Sequence, residues 1–139
     1  MIRVVFDTNV LFSAVFKSVG IPAQTVDLVT HGMITPCTSD AVMDEYRDVL
    51  TRPVLRPHGQ RAAEVFALLS RFAVHVSPTE TLDLCPDPDD NRFLECAAEA
   101  DAEYLVTGNI KHFPATYEHV AVVTPRMLLQ EILSRHKKK

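Results

Sequence analysis

Several side chains with oxygen donors stand at places in this sequence where they could share one site. Asp7 directly follows the apolar run of residues 4–6. A β-branched apolar run that stops at a polar cluster is typical of a strand buried on both faces of a parallel sheet. In open α/β sheets, ligands and catalytic groups gather at the carboxyl ends of the strands. We therefore interpret Asp7 as a metal ligand, although an Asp in this position can also cap the next turn.

Glu45 is the second candidate ligand. It lies on a predicted helix over residues 39–51, three residues after Val42 and four before Val49, and so flanks the apolar stripe of that helix. An ordinary boundary Glu has its carboxylate in water. The same position also allows a carboxylate to lean over a sheet edge into a shared pocket, and we predict that Glu45 does so.

A cluster of acids before another predicted helix supplies the third candidate. Asp87, Asp89 and Asp90 are three acids within four residues, whereas one helix N-cap needs only one. Crowded carboxylates repel each other, and a divalent cation relieves that repulsion. Asp90 is the preferred ligand because it directly abuts the helix, and Asp89 is the second choice.

Asn109 follows a later strand, after Thr107 and a glycine. Gly-Asn is also ordinary turn chemistry. In a doubly wound sheet this loop can lie beside the loop after the first strand. There Asn109 could coordinate a metal or orient its water without adding negative charge, and Thr107 could add a hydroxyl.

The chemistry of this donor set is specific. Asp7, Glu45, Asp90 and Asn109 offer oxygen atoms and no paired Cys or His, which suits Mg²⁺ or Mn²⁺. Such a site can lower the pKa of a water molecule and neutralise a phosphodiester in the transition state. The predicted reaction is metal-dependent phosphodiester hydrolysis.

Strands and helices alternate along the chain and would position these residues. The pattern predicts an α/β fold of three layers, with a central, mainly parallel sheet of about five strands between helices, in a single domain over residues 1–139. The predicted strands are 2–6, 33–37, 74–76, 104–107 and 120–123, and the predicted helices are 11–16, 23–30, 39–51, 60–72, 91–100 and 125–136.

Composition limits the possible functions. The net charge of -4 argues against a strongly basic, charge-driven nucleic-acid binder, but a metal ion could supply positive charge to an enzyme acting on nucleic acid. The three cysteines are widely spaced, which favours a reducing compartment. With no apolar run of about 18 residues, we expect a cytoplasmic protein without a membrane segment.

The same residues, in the same order, resemble the PIN domain. The matching segments are Val-Val-Phe-Asp-Thr-Asn-Val at positions 4–10, Ser39 through Glu45, Asp-Pro-Asp-Asp-Asn-Arg-Phe-Leu at 87–94, and Leu-Val-Thr-Gly-Asn at 105–109 followed by His-Phe at 112–113. Each segment is short, but their order and spacing make the likeness strong across essentially the whole chain. Within the family, the chain is most similar to VapC-type toxins of toxin–antitoxin pairs.

The resemblance implies a Mg²⁺- or Mn²⁺-dependent ribonuclease that cuts RNA. It places Asp7, Glu45 and Asp90 at the metal-site positions, and it gives Thr8 and Asn9 the role of shaping the turn that supports Asp7. It also implies a homodimer and a small antitoxin protein as partners.

Asn109 departs from the family pattern, because many members carry a fourth acid at that point. Two alternatives therefore stay open. One is a catalytically weak or inactive PIN module that binds RNA or protein. The other is a haloacid-dehalogenase-type phosphatase, whose opening strand also ends in Asp, although that chemistry requires a second Asp where this chain has Asn9.

Overall fold

The fold is built on a six-stranded sheet, in a computed structural model that describes residues 2–137. Short apolar, β-branched runs form its inner strands, as expected for a sheet covered on both faces. The strands are β1 (Ile2–Phe6), β2 (Ile34–Thr38), β3 (Val74–His75), β4 (Tyr104–Val106), β5 (Thr116–Tyr117) and β6 (Val120–Val123).

Helices connect most of these strands. Helix α3 shows why they form where they do: its N-cap Ser39 accepts a hydrogen bond from the Val42 N–H, at 3.2 Å. The helices are α1 (Thr8–Phe16), α2 (Ile21–Thr30), α3 (Asp40–Leu50), α4 (Gly59–Phe72), α5 (Asn91–Glu99) and α6 (Pro125–Lys137), with 3₁₀ segments at Pro53–His58, Pro88–Asp90 and Ile110–His112.

The order of the strands creates a crevice at the middle of the sheet. The order is β3-β2-β1-β4-β6-β5, and every neighbouring pair is parallel except β5 with β6. From β1 the chain builds outward through β2 and β3, and then returns to place β4 on the other side of β1. Such a reversal leaves an opening at the carboxyl ends of the two strands, where α/β proteins bind ligands.

The register of β1 and β4 decides which residues meet at this opening. Phe6 pairs with Val106, so the next residues, Asp7 and Thr107, lie side by side. The buried core beneath them includes the side chains of β1, which are fully buried at Val4, Val5 and Phe6. Helix α5 packs against β1 and β4 and also contacts α3. The edge of the crevice is therefore held by closely packed, fully buried residues of the core.

The predicted fold class is confirmed, with several corrections. The sheet has a sixth strand, β5, whose two residues are too few to give a sequence pattern. Helix α1 begins at Thr8 rather than at residue 11, because Asp7 already takes the extended N-cap conformation. Helix α2 begins two residues before its predicted start, with Pro22 in its first turn. None of the helices formed by residues 2–137 has the length and apolar character needed to traverse a bilayer.

Candidate functional site

An acidic cleft opens at the crevice between β1 and β4. It encloses about 410 Å³. Its walls come from the β1–α1 turn, from one face of α3, from the 3₁₀ segment before α5 and from the loop after β4. Four acids line it: Asp7, Glu45, Asp87 and Asp90. The other lining residues are Thr8, Asn9, Phe12, Ser13, Val49, Arg52 and His112.

Asp7 is the most buried of these acids, with only 8% of its surface exposed. Its Oδ2 atom accepts a hydrogen bond from the Thr107 hydroxyl at 2.8 Å, and that hydroxyl in turn accepts the Asn109 backbone N–H at 3.0 Å. Burial raises the pKa of Asp7, while the Thr107 hydroxyl, the nearby N–H groups of Thr8 and Asn9 and the charge of His112 oppose the rise. Asp7 occupies the N-cap position of α1, but its side chain makes no capping hydrogen bond to the first turn of that helix. Its carboxylate is bound by the Thr107 hydroxyl instead.

Asp90 lies at the opposite wall of the cleft, on a loop held by Asn91. The buried Asn91 side chain accepts the N–H groups of Leu84 and Cys85 at 2.9 and 3.0 Å and donates to the Pro88 carbonyl at 3.0 Å. This clamp fixes the segment that carries Asp90, whose side chain is 19% exposed. Burial, together with repulsion from the other acids of the cleft, raises the pKa of Asp90 to about 6.

Glu45 reaches the cleft from α3, and the next residue fixes that helix to the sheet. The buried Tyr46 hydroxyl donates a hydrogen bond of 2.5 Å to the carbonyl oxygen of Phe6, directly before Asp7. Arg92 on α5 places a guanidinium nitrogen 3.7 Å from the Glu45 carboxylate and donates to the Ala41 carbonyl at 3.3 Å. Helices α3 and α5 are thereby joined beside the cleft.

Two of the predicted site residues lie outside this wall. Asp89 pairs with Arg92 at 3.1 Å and its side chain is 78% exposed, and it lines a separate surface depression. Asp87, which the sequence did not single out, faces the cleft instead. Asn109 is exposed, and the contact that ties it to the site is its backbone N–H on Thr107.

The side chains of Thr8 and Asn9 differ in what they contribute to the turn after β1. The Asn9 Oδ1 atom accepts the Gly108 N–H at 3.1 Å, which joins the loops after β1 and β4. A side chain at Gly108 would meet the Asn9 amide at 3.6–3.7 Å, an ordinary contact distance. The Thr8 hydroxyl is buried and has no hydrogen-bond partner, so its side chain does not hold Asp7.

The contributions of Asp87, Asn91 and Arg92 escape a reading based on residue spacing. All three belong to the Asp-Pro-Asp-Asp-Asn-Arg segment, whose density of polar residues is the signal that could have found them. His112 follows Thr107 and Gly108 closely, which already indicates a place near the site, and its Nδ1 lies 3.9 Å from Asp90 Oδ2.

Comparison with known proteins agrees with this geometry. A sequence model described as the PIN domain matches residues 3–111, which include all the acids of the cleft. The chain belongs to the PIN-domain family. This assignment confirms the resemblance seen in the sequence, and the matched family is not that of the haloacid-dehalogenase-type phosphatases.

Two proteins are similar to this PIN domain, one in sequence and one in structure. An uncharacterized protein of Methanocaldococcus jannaschii is 30% identical over 142 residues, which cover 94% of this chain and 91% of that protein. A chain in the crystal structure of VapBC2 from Rickettsia felis, solved with a DNA fragment from the VapBC2 promoter, has the same fold. It aligns with a TM-score of 0.59 and 17% identity over 88% of this chain and 98% of that chain.

The donor set of this PIN domain fits a hard divalent cation. Asp7, Glu45, Asp87 and Asp90 offer carboxylate oxygens, which Mg²⁺ and Mn²⁺ prefer. The pKa of Asp90 is raised first by burial and then by repulsion from Asp7 and Asp87, and a cation would offset that repulsion. Within residues 2–137, no three acid, imidazole or thiol side chains are close enough to hold one ion together. A bound ion would therefore retain water molecules, as Mg²⁺ commonly does.

Proposed function

We propose that this PIN domain is a Mg²⁺- or Mn²⁺-dependent endoribonuclease and the toxin of a toxin–antitoxin pair. The observation that carries the proposal is the convergence of Asp7, Glu45, Asp87 and Asp90, from three separate segments of the chain, on one cleft. Acids gathered at one strand end repel each other, and a divalent cation bound among them offsets that repulsion. Asp7, Glu45 and Asp90 are the proposed metal ligands, and at least one of them would bind the ion through a water molecule, because no three acids within residues 2–137 are close enough to hold one ion together.

A divalent ion held there would neutralise charge on a phosphodiester and activate water. The protein's own residues make this possible by fixing the carboxylates before substrate arrives. Thr107 orients Asp7 through its hydroxyl, and Tyr46 holds α3, and hence Glu45, against the end of β1. Preorganised groups of this kind pay no reorganisation cost during the reaction.

Basic side chains at the cleft would receive the RNA backbone. Arg52 and His112 line the same cleft as the acids, so both can approach a phosphate that is bound over the carboxylates. Arg92 lies behind Glu45 and Asp89 and fixes their positions. Asn109 would contribute through the Thr107 hydroxyl, whose direction its N–H helps to set.

The toxin proposal rests on the similarity of this fold to that of a VapBC2 chain. The structural neighbour comes from VapBC2, and we infer by analogy that a small antitoxin protein binds this chain, that the chain forms a homodimer and that it acts in the cytoplasm. Co-expression with the product of an adjacent gene, followed by co-purification, tests the antitoxin.

The nuclease proposal is tested with purified wild type, Asp7→Asn and Asp90→Asn on a pool of structured RNAs with Mg²⁺, Mn²⁺ or EDTA. Asp89→Asn is the matched control, because that acid lies one residue away but outside the cleft. We expect cleavage by wild type and by the control with metal, and loss of about 10²-fold or more in the two ligand variants. Cleavage that survives EDTA would refute the metal mechanism.

An RNA- or protein-binding module with little activity is the second candidate. It is favoured by Asn109, which adds no charge, and by the absence of a ready three-acid cluster among residues 2–137. Asn109→Asp distinguishes the two. One added charge is worth about 2 kcal/mol to a divalent ion about 4 Å away through water and about 1 kcal/mol at about 8 Å, so an active enzyme should gain about five- to thirtyfold in Mg²⁺ affinity. Tight RNA binding without cleavage, even in Asn109→Asp, would favour the module.

A further inference from the structure

An apolar groove lies next to the acidic cleft, behind the last turn of α3. It occupies about 390 Å³, within the range of about 300–1,000 Å³ usual for small-ligand sites. Val49 lines the cleft and Leu50 lines the groove, so this turn separates the two spaces. Arg52, just after the turn, lines both of them. We call this space the α3–α4 groove.

Apolar groups form the walls of the α3–α4 groove. Leu50, Leu55 and Ala62 are buried in the core and present their edges to it. Ala63 and Phe66 complete the wall from α4. Such a surface suits a flat, apolar ligand face rather than a charged one.

Arginines surround the opening of the groove. Arg47 pairs with Asp44 at 3.2 Å and Arg52 with Asp48 at 3.3 Å, in both cases between well-exposed side chains. Pairs of this kind contribute little stability and exchange readily for a phosphate. Arg56 has no carboxylate within ion-pair distance in the part of the chain that the structure describes. On a chain whose net charge is -4, this is a local concentration of positive charge.

We propose that the α3–α4 groove binds a nucleobase of single-stranded RNA, next to the phosphodiester held in the cleft. The proposal rests on the ribonuclease function proposed above and adds a subsite to it. Arg52 and Arg56 hold the phosphates on either side of the base. Arg47 lies over the ring of Phe66, with its Cζ atom 5.3 Å from the ring centre. The base therefore packs against Leu55 and beside this Arg47–Phe66 pair, because every base has an apolar face that stacks on aromatic rings and on guanidinium groups.

Continuity with the cleft favours RNA over an acidic peptide as the occupant. Arg52 lines both spaces, so an RNA strand that passes from the cleft into the groove stays beside this positively charged side chain. An amphipathic peptide helix needs an extended groove that accepts anchors over about two turns. The α3–α4 groove is a compact pocket instead.

Binding of a fluorescent, short single-stranded RNA in EDTA tests the proposal without requiring cleavage. Ala63→Met fills the groove from an exposed position, and Ala67→Met is the matched control, exposed one turn further along α4 and outside the groove. Loss of one stacked base should raise the Kd of Ala63→Met about tenfold, while Ala67→Met stays at the wild-type value. An abasic oligonucleotide of the same length should bind both variants equally.

Arg56→Gln gives a second measurement that needs no filling of the groove. Loss of one phosphate contact should reduce the slope of log Kd against log salt by about 0.7. Arg126→Gln, exposed on α6, should leave that slope unchanged. With wild type, RNA that carries 4-thiouridine should crosslink to residues 59–72 on irradiation.

The results separate this subsite from the nuclease proposal. An unchanged Kd in Ala63→Met, or crosslinks that avoid residues 59–72, would overturn the subsite even if metal-dependent cleavage is observed. Groove-dependent binding without cleavage would support the subsite and count against the nuclease. Binding of an acidic amphipathic peptide that Ala63→Met abolishes, with RNA affinity unaffected, would assign the groove to a protein partner and overturn the proposal.

Discussion

The hydroxyl of Thr107 donates a hydrogen bond of 2.8 Å to Oδ2 of Asp7, across a separation of one hundred residues in the sequence. The contact follows from the register of β1 and β4, in which Phe6 faces Val106. The Asp7 N–H also donates to the Val106 carbonyl at 2.8 Å. The end of β4 therefore holds both the backbone and the side chain of Asp7, so this carboxylate has a fixed position in the acidic cleft.

Thr107→Val tests the importance of that contact. It keeps the shape of the side chain but leaves a buried carboxylate without its hydroxyl donor, so we expect a loss of about 1–3 kcal/mol in the free energy of unfolding near neutral pH. Urea denaturation in EDTA measures the loss. Thr107→Ser should retain most of the stability, and equal stability of wild type and Thr107→Val would show that the contact contributes nothing.

The pKa of Asp90 predicts how stability depends on pH without metal. Because the pKa is raised from 3.8 to about 6 in the folded state, the folded protein binds this proton more tightly than the unfolded chain. The contribution of Asp90 to stability is therefore greatest below about pH 4 and is lost as the pH rises through about 6. Asp90→Asn should be more stable than wild type at about pH 7.5, by about 1 kcal/mol after solvent screening.

Urea denaturation of both proteins in EDTA across this pH range checks the sign. The advantage of Asp90→Asn should disappear near pH 4, where Asp90 is protonated in the folded wild type. Asp89→Asn serves as the control, because the Asp89 side chain is largely exposed outside the cleft and should give no such crossover. A wild type more stable than Asp90→Asn at about pH 7.5 would contradict the prediction.

Adding a divalent metal ion should make the wild type more stable than Asp90→Asn at neutral pH. An ion that binds only the folded protein stabilises it by about 2.7 kcal/mol when its concentration is about 100 times the Kd. We expect Mg²⁺ or Mn²⁺ to raise the Tm of wild type at about pH 7.5, and much less near pH 5, where a protonated Asp90 competes with the ion. Thermal denaturation with and without EDTA measures this. The same Tm increase in Asp7→Asn would place the ion elsewhere.

Tyr46→Phe tests how the position of α3 affects the site. The lost hydroxyl leaves the buried Phe6 carbonyl without the hydrogen bond described above, which should cost about 1–3 kcal/mol of unfolding free energy. Because Glu45 is the adjacent residue, the Mg²⁺ affinity should also fall. Calorimetric titration of Mg²⁺ separates this effect from stability. An unchanged affinity in a destabilised variant would limit Tyr46 to a packing role.

The parts of the molecule that follow from local signals could be predicted from sequence. Strand β1 is a continuous apolar run, and α3 begins at the N-cap Ser39, so the positions of Asp7 and Glu45 relative to the core were accessible. The sequence also favoured Asp90, which lines the cleft, but it did not reveal that Asp87 rather than Asp89 lies beside it. The Asp87 side chain accepts the Asp89 N–H at 3.0 Å, and the resulting 3₁₀ segment directs Asp89 outward, toward Arg92.

The supporting contacts were inaccessible for a different reason. Tyr46 belongs to an apolar stripe, and nothing in that pattern reveals that its hydroxyl meets the end of β1. Asn91 looks like any residue at a helix start, whereas its side chain holds a preceding loop through three hydrogen bonds. Such roles depend on which elements pack together, and a single sequence does not encode them in its periodicity.

The distance along the chain between Asp7 and its partner also matters while the protein is being synthesised. Asp7 leaves the ribosome one hundred residues before Thr107 and the strand that carries it. Until Thr107 emerges, the nascent chain holds the Asp7 carboxylate without the neighbour that orients it. For a nuclease that depends on Asp7, as proposed above, the metal site would therefore be completed only after this later strand has been synthesised.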